Sequence, residues 1–534
     1  MQTSWQLCAM QGKKHYTEKL FASFQLSERV PADNFYRILK QELDLSFLYK
    51  ATKAYYGTEG QKSIDPVVFM KLILIGYFEN LNSDRKIIEH ARMRLDLLFF
   101  LGYDIDEELP WHSTLSRTRQ LYGAEVFKDL FKVVLKMCVD KGMVGGKRQA
   151  IDSAYIKANA SMDSVLEKEV LEDGTAYTYE LSAQDEEQLP RDKSKKQVSG
   201  QKKKEVEEHH AWKAEAYKHQ PSNRNTKSTD EHGNLIRPKY LSNHTHYSAT
   251  DPDARISTKP GKPRQFTYSA QTSVDTRQHV ITNIMADYSD KRDSQSLPDA
   301  VEQTKTNLQE NDLKLEEVLA DAGYSSGEAL RYLKENNITG YIPNFGQYKP
   351  EREGFMYNKE KDRYECIREG GNGAILPYKR TGANSNGYIQ KTYRSSEKDC
   401  KSCPLKTQCI GKSNFKKLDE SIEKPLYDEM HQRLQTNYAK RLKKLRSSTV
   451  EPVLGTLINF IGMRRIWTRG IAGATKFMLG AAIAYNLKKW MRYKPPVRKT
   501  AVMAAQLPET LENSLKTALF FIFRQQQAPY CLTP

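Results

Sequence analysis

Long hydrophobic runs are missing from this sequence. No apolar stretch reaches the ~18 residues that a membrane-spanning helix requires, so we expect no membrane span. The start of the chain also lacks a basic segment followed by an apolar one, which is the pattern of a secretory signal. We therefore expect the protein to work in the cytoplasm. A chain of 534 residues is too long for one hydrophobic core and should form about two to four domains.

Cysteine is scarce, and its few positions are unevenly spread. Among the 7 cysteines, a group falls in one segment: Cys366, Cys400, Cys403 and Cys409. In a cytoplasmic protein such a group more often binds a metal than forms disulfides. The spacing C-x₂-C is the usual short chelating unit of structural zinc sites, which take four Cys or His ligands. The segment therefore predicts a structural Zn²⁺ site, with free reduced thiols as the alternative.

Acidic residues are outnumbered by basic ones. The chain has 83 Lys and Arg against 66 Asp and Glu, a formal net charge of +17. Such an excess suits a polyanionic partner, because neutralising phosphates releases counterions and drives binding. Charge alone does not separate DNA from RNA or from an anionic membrane, and a solvated basic surface is the alternative.

The first 125 residues predict an all-helical domain. A helix should begin after Asp65, a good N-cap, with Pro66 at its first position, and another should follow Asn82–Ser83–Asp84. A third should begin at Ser113 or Thr114 and carry two cations, Arg117 and Arg119. This order resembles a helix-turn-helix DNA-binding domain, and a plain helical bundle with a basic face is the alternative.

The next region, residues 145–345, alternates between strand and helix patterns. A buried strand, RQAIDSAYIKANA, precedes a charged and polar stretch at 163–240 that predicts a flexible insertion. A β-hairpin, FTYSAQTSVD with HVITNIMADYSD, follows, and then helix, strand, helix and strand. These elements predict a mixed sheet covered by helices. A Cys-bearing insertion at 346–418, a helical part at 425–494 and a tail at 495–534 complete the chain.

Two aspartates occupy unusual positions in the predicted strands. Asp152 lies inside an apolar strand, where a carboxylate is costly unless it is paired or binds a cation. Asp321 ends the strand VLA, and ligand sites form at the carboxyl ends of strands. Two such acids on neighbouring strands would repel each other, and Mg²⁺, which prefers oxygen ligands, removes this repulsion. A strand-end cap or an ion-pair partner is the alternative for either residue.

Several blocks resemble one family in the same order. They are DPVVFMKLILIGYFENLNSDRKIIEHARMRLDLLFFLG with PWHSTLSRTR, then AIDSAYIKANAS, SATDPDARISTK, VLADAGYSS, VEPVLGTLINFIGMRRIWTRG and GAAIAYNLKKW. Together they are similar to a group of bacterial insertion-sequence transposases of the DDE type. The resemblance extends from about Asp65 to Trp490 and joins several independent blocks.

The resemblance implies an α/β fold: an RNase H-like mixed sheet with helices on both faces, preceded by an all-α N-terminal domain and interrupted by insertions. It also implies a catalytic triad of Asp152, Asp321 and Glu451 that binds Mg²⁺ or Mn²⁺. The residues alone would place Glu451 in the first turn of a helix capped by one of residues 447–449, as a partner of the helix dipole. Some related transposases carry Tyr, Arg and Lys at fixed offsets around this Glu. That pattern is absent here, and Arg446 receives no catalytic role.

The resemblance further implies DNA partners. These are the terminal inverted repeats of an element and its target DNA, and acting on two ends makes a homodimer in the DNA complex the expectation, associated with the bacterial nucleoid. The residues expected to grip DNA, beside Arg117 and Arg119, are Arg464, Arg465, Trp467 and Arg469. Solvated helix ends are the alternative. A domesticated DNA-binding regulator and a metal-dependent nuclease without strand transfer remain the alternative functions.

Overall fold

The computed structural model describes residues 24–57, 63–167, 228–229, 235–236, 243, 246–257, 264–346, 348–384 and 388–495. Most of the predicted insertion at 163–240 and nearly all of the tail at 495–534 therefore lie outside the described residues. The described parts of that insertion include short strands, β2 (Val165–Glu167), β3 (Ser228–Thr229) and β4 (Leu235–Ile236). Residues up to Met491 form one compact unit, and a second begins at Arg492.

The N-terminal part of the protein is helical, as predicted. Its helices are α1 (Leu26–Arg29), α2 (Phe35–Glu42), α3 (Phe47–Thr52), α4 (Pro66–Phe78), α5 (Asp84–Arg92), α6 (Leu95–Leu101), α7 (His112–Leu121) and α8 (Ala124–Asp140). Helix α4 is almost entirely buried, because its sequence is apolar on every side. Helices α3, α5 and α6 pack against it, and Phe35 of α2 contacts Phe78 at its end.

The starts of these helices test the predicted caps. The carboxylate of Asp65 accepts hydrogen bonds from the backbone N–H groups of Val67 and Val68, so the predicted cap of α4 is confirmed. Helix α5 begins after Ser83, although this side chain makes no capping bond. The predicted start of α7 at Ser113 or Thr114 is wrong. The helix begins at His112, because the backbone leaves the extended conformation after Trp111.

A mixed sheet follows, as predicted, with strand order β10-β9-β1-β7-β6 and β8 paired to β7. Its strands are β1 (Arg148–Lys157), β6 (Arg255–Ser257), β7 (Gln265–Asp275), β8 (Ile281–Tyr288), β9 (Glu317–Leu319) and β10 (Thr339–Tyr341). The central strand β1 runs antiparallel to β7 and parallel to β9. Strands β7 and β8 form the predicted hairpin. A short strand β5 (His246–Ser248) pairs with β2 outside this sheet.

Helices cover both faces of this sheet. They are α9 (Asp293–Gln309) and α10 (Gly327–Glu335), and later α13 (Lys424–Leu434), α14 (Asn437–Phe460) and α15 (Gly470–Arg492). On β7, Ser273 accepts a hydrogen bond from Thr304 of α9. Neighbouring strand residues point to opposite faces, so Thr272 and its partner across the strands, Asp152, face away from α9 and towards α14. The predicted mixed sheet with helices on both faces is confirmed.

The Cys-bearing segment forms a second, antiparallel sheet. Its strands follow chain order: β11 (Phe355–Asn358), β12 (Arg363–Cys366), β13 (Ile375–Ala383), β14 (Ile389–Arg394) and β15 (Lys417–Ser421). Two short helices, α11 (Glu397–Lys401) and α12 (Lys406–Cys409), lie between β14 and β15. The core of this sheet is small and largely aromatic: Phe355, Tyr364, Leu376 and Tyr393.

The last helix of the described chain packs against the N-terminal helices. Helix α15 is buried over most of its length, and the hydroxyl of Tyr77 in α4 donates a 2.9 Å hydrogen bond to the carbonyl of Phe477. Within the described residues, no helix combines the length and apolar character needed to cross a membrane.

Candidate active site

Asp152 and Asp321 lie at the same level on neighbouring parallel strands. The last paired residues of β1 and β9 are Ala150 and Leu319, and each aspartate stands two residues further on. The sheet register therefore places both at the carboxyl end of β9, as the sequence predicted. The Asp321 carboxylate accepts a 2.9 Å hydrogen bond from the N–H of Gly323, which holds the turn after β9. These two predicted ligands are brought together.

Asp152 is mostly enclosed and has one strong partner. Its carboxylate forms a 2.9 Å ion pair with Arg446 of α14 and accepts a hydrogen bond from the N–H of Ser153. Burial raises the pKa of Asp152 above its ordinary value, and the negative charge of Asp321 raises it further. The charge of Arg446 and the N–H of Ser153 act in the opposite direction without cancelling the effect. A positive neighbour therefore favours the ionised form of Asp152.

Glu451 lies well inside helix α14, and the prediction that it occupies a first turn is wrong. The helix begins at Asn437, after Thr436, whose side chain accepts a hydrogen bond from the N–H of Ala439. The Glu451 side chain is 60% exposed, and its Oε1 lies 3.6 Å from Nη2 of Arg446. Glu451 is thus linked to Asp152, but not to Asp321, through the guanidinium of Arg446.

Arg446 is the residue that the sequence argument missed. It lies four residues before Val450 and seven before Val453, so it shares the buried side of α14 with them. Its guanidinium is 14% exposed and lies between the carboxylates of Asp152 and Glu451. This spacing is the sequence feature that could have identified Arg446, because an arginine among apolar positions of a helix needs a buried acidic partner.

A further carboxylate, Asp293 at the first position of α9, borders the same turn. A side-chain carbon on Gly323 would lie 3.1 Å from Oδ1 of Asp321 and 3.2 Å from Oδ2 of Asp293, so both carboxylates would have to shift by a few tenths of an ångström to admit it. Burial raises the pKa of the Tyr324 phenol well above its ordinary range, and the charges of Asp293, Asp152 and Asp321 add to this rise. All three carboxylates therefore act on the same buried phenol. No local feature of the sequence signals Asp293.

Metal ligation requires a closer arrangement than these side chains adopt. Within the part of the chain that the structure describes, no group of three or more Asp, Glu, His or Cys residues is gathered tightly enough to hold a metal ion. A buried side-chain oxygen beside the site lacks a hydrogen-bond partner among the described residues. It is the hydroxyl of Thr272, directly across from Asp152 on β7.

Two family models match the chain. A model described as "Transposase domain (DUF772)" matches residues 24–121, and one described as "Transposase DDE domain" matches residues 371–491. The two matches support an insertion-sequence transposase of the DDE type. No curated protein matches it. The second match includes Glu451, whereas Asp152 and Asp321 lie outside both matched segments. The mixed sheet with its helices is consistent with the RNase H-like fold expected of a DDE transposase.

The loop between α14 and α15 carries one group of residues expected to grip DNA. Arg464, Trp467 and Arg469 are exposed on the surface of the transposase. Arg465 is held inside the loop, since its guanidinium donates to the side chain of Asn159 and lies 4.9 Å from the centre of the Trp467 ring. The loop is tied to the end of β1 by a 2.8 Å hydrogen bond from the N–H of Ile466 to the carbonyl of Lys157.

The two arginines of α7 have different surroundings. Arg117 is exposed, and its guanidinium forms no ion pair within the described residues. Arg119 makes two hydrogen bonds to the carboxylate of Asp84 at the start of α5, and both side chains are about one-fifth exposed, at 20% and 19%. The structure thus uses Arg119 to join two helices and leaves Arg117 available to a partner.

The four grouped cysteines of the transposase line one small cavity. Cys366, Cys400, Cys403 and Cys409 face it together with apolar side chains of the second sheet. All four thiols are free, and the Sγ of Cys400 lies 3.0 Å from the hydroxyl of Ser395. The fold therefore gathers the predicted thiolates, although they are not spaced as metal ligands.

Proposed function

We propose that this transposase cuts DNA at the ends of its insertion sequence and joins those ends to target DNA, with Asp152, Asp321 and Glu451 as ligands of Mg²⁺ or Mn²⁺. The observation that carries the proposal is the guanidinium of Arg446, which lies between Asp152 and Glu451. This position supports the proposal, because a positive charge between two carboxylates favours their ionised forms, as a bound metal ion would. The reaction would take place on DNA in the cytoplasm.

The residues present fit a hard divalent cation by their chemistry. Carboxylate oxygens are the ligands that Mg²⁺ and Mn²⁺ prefer, and the unpartnered hydroxyl of Thr272 adds a polar oxygen beside Asp152. When bound, two such ions would activate the attacking oxygen and stabilise the leaving oxygen of a phosphodiester. The attacking groups would be water for strand cleavage and then the DNA 3′-OH for strand transfer, with no covalent protein–DNA intermediate.

The protein itself would supply placement and charge. Strand β1 and the turn after β9 hold Asp152 and Asp321 at one level, and Gly323 lets the turn approach the neighbouring carboxylate. Arg446 neutralises Asp152 in the metal-free protein. Once a metal ion takes over that role, the guanidinium would be free to bind a phosphate of the DNA backbone.

The proposal includes a structural zinc in the second sheet. The four thiols that face one cavity match the donor types of a structural Zn²⁺ site and would have to move closer together to bind the ion. The small aromatic core beside them would gain stability from such a metal. The two DNA ends of an element would be brought together by a homodimer of the transposase.

The deciding experiment combines Mg²⁺ or Mn²⁺ with DNA that carries candidate element ends and a target plasmid. We expect Asp152→Asn, Asp321→Asn and Glu451→Gln each to lower cleavage by at least about 100-fold, more than is typical of changes outside the metal's own ligands. The matched control is Glu310→Gln, which alters a carboxylate paired with Lys132 on the surface. Full cleavage by any of the three variants would remove that residue from the site.

The same assay separates the other functions. Cleavage of the ends without joining to the target would make the protein a nuclease. Binding of the ends without cleavage under either metal would make it a DNA-binding regulator.

A further inference from the structure

We propose that one exposed face of helix α14 is a track for the DNA backbone that leads to Glu451, with Lys440 and Lys444 binding phosphates of the same DNA strand. We call this face, made of Lys440, Lys444 and Glu451, the α14 track. The inference rests on the proposed function, since it assumes that Glu451 acts on DNA. It adds a DNA-binding surface that is separate from the loop after α14.

The first half of α14 carries cations that pair with no acidic residue in the described part of the chain. Between Asn437 and Val450 the helix contains no acidic residue, and its exposed cations are Lys440, Arg441, Lys443 and Lys444. None of these four side chains forms an ion pair or a hydrogen bond within the described residues, as the ion pairs found there show. The preceding helix differs, because its Arg433 is paired with Glu429 four residues earlier.

This arrangement works against the stability of the helix. Lysines three and four residues apart repel each other, and each such pair costs about 0.2–0.5 kcal/mol. Lys440 also lies in the first turn of α14, where the positive end of the helix dipole disfavours a cation. The fold gains nothing from this group of charges. A polyanion bound to this surface would neutralise these cations and so remove their repulsion. Its binding would also be favoured by the release of counterions.

Helical spacing aligns the track with Glu451. At 3.6 residues per turn, Lys444 and Glu451 lie within about 40° of Lys440 around the helix axis. Gly455, one turn further on, keeps the face open, since a side-chain carbon there would meet nothing within 4 Å. A rise of about 1.5 Å per residue puts Lys444 about 10 Å and Lys440 about 16 Å before Glu451. A DNA strand advances about 3.4 Å per nucleotide, so these lysines match phosphates roughly three and five nucleotides from the cleaved bond.

The test measures how binding of an end-bearing DNA duplex depends on salt. For Lys440→Gln/Lys444→Gln we expect weaker binding and a log–log salt slope that is less steep by about two, one for each lost phosphate contact. The control is Lys136→Gln/Lys314→Gln, which removes exposed lysines from α8 and from the amino end of β9. An unchanged slope in the track variant, or an equal change in the control, would overturn the proposal.

A second measurement locates the contacts. Duplexes with uncharged methylphosphonates at the third and fifth phosphates from the cleaved bond should bind more weakly to the wild-type transposase and equally well to the track variant. Thermal unfolding should show the track variant to be at least as stable as the wild type, because like-charge repulsion is removed. Equal loss from methylphosphonates placed elsewhere, or tighter binding to RNA of the same sequence, would contradict a DNA track.

Failure of the track and failure of the proposed function give different results. If the acid variants lose cleavage but the track variant keeps the wild-type salt slope, only the track is wrong. If all acid variants still cleave, the proposed active site is wrong, whatever the slope.

Discussion

Arg446 makes the contacts that set the charge of the proposed active site. Its guanidinium touches a mostly buried carboxylate, Asp152, and an exposed one, Glu451. Because Asp152 is costly to ionise in its enclosed position, the arginine offsets part of that cost in the metal-free protein. The state of the site therefore depends on which cation, the guanidinium or a metal ion, lies beside Asp152.

Replacing Arg446 should make the protein depend more strongly on divalent metal. We expect Arg446→Ala to lower the stability of the metal-free protein by about 1–3 kcal/mol, since it leaves the Asp152 carboxylate unpaired. Mg²⁺ should then raise the Tm of Arg446→Ala more than that of the wild type, because the ion replaces the lost charge. Equal Tm shifts with Mg²⁺ would contradict this role. The control, Lys128→Ala, breaks a surface pair with Glu125 and should cost at most about 1 kcal/mol.

Lys71 in α4 gives a prediction about pH. Its ammonium donates a 2.7 Å hydrogen bond to the carbonyl of Phe100, and burial lowers the pKa of Lys71 from 10.5 to about 8. A lowered folded-state pKa means that the stability present above pH 10.5 is lost as the pH falls through about 8. Lys71→Met should therefore raise Tm relative to the wild type more at pH 7 than at pH 10. The control is Lys50→Met, which removes an exposed lysine of α3.

At the scale of elements, local patterns predicted much of what positions the site. The apolar strand around Asp152, the hairpin of β7 and β8, and the Asp65 cap of α4 all follow from neighbours in the chain. The start of α14 could not be predicted in this way, because Pro452 and the polar residues before it are typical of a helix start. The helix tolerates this proline in its interior and continues past it. The pairing of Asp152 with Arg446 joins residues far apart in sequence, which no local pattern can reveal.

The contrast between Arg117 and Arg119 separates binding from helix packing. Arg119 ties α7 to α5 through Asp84, so Arg119→Gln should destabilise the protein by about 1–3 kcal/mol. Arg117→Gln should leave Tm unchanged and weaken DNA binding, because the exposed guanidinium has no structural partner within the described residues. Thermal unfolding and DNA titration of both variants would check this. Equal stability of the two variants would contradict the role of Arg119 in joining α7 to α5.

The second sheet gives a prediction about metal content. If the gathered thiols bind zinc, the purified wild-type transposase should contain Zn²⁺, and Cys400→Ser/Cys403→Ser should contain none, as measured by elemental analysis. A chelator should lower the Tm of the wild type but not that of the variant. Cys138→Ala is the control, because this buried thiol lies in α8, away from the cavity. Zinc-free wild-type protein with four reactive thiols would show that the cysteines are simply reduced.

In the whole molecule, the two segments matched by transposase models are packed directly against each other. Helix α15 belongs to the second segment. The ammonium of its Lys476 donates hydrogen bonds to the carbonyls of Arg119 and Tyr122 at the end of α7. Tyr77 of α4 reaches the same helix at Phe477. The N-terminal helices and α15, the helix after the one that carries Glu451, are thus packed together. DNA bound by the former would therefore be fixed relative to the latter.

This packing depends on a glycine at the closest approach of α4 and α15. A side-chain carbon on Gly480 would lie 2.7 Å from Cζ and 2.8 Å from Oη of Tyr77, whose ring is buried and whose hydroxyl is bonded to Phe477. We expect Gly480→Ala to destabilise the protein by about 1–3 kcal/mol, despite the better helix propensity of alanine. Gly455→Ala is the matched control in α14, where the added carbon meets nothing within 4 Å and should stabilise by roughly 0.5–1 kcal/mol. Chemical denaturation measures both changes. If Gly480→Ala instead stabilised the protein, Tyr77 and α4 would have to move away from α15 to admit the methyl group. The two matched segments would then not hold a fixed position relative to each other.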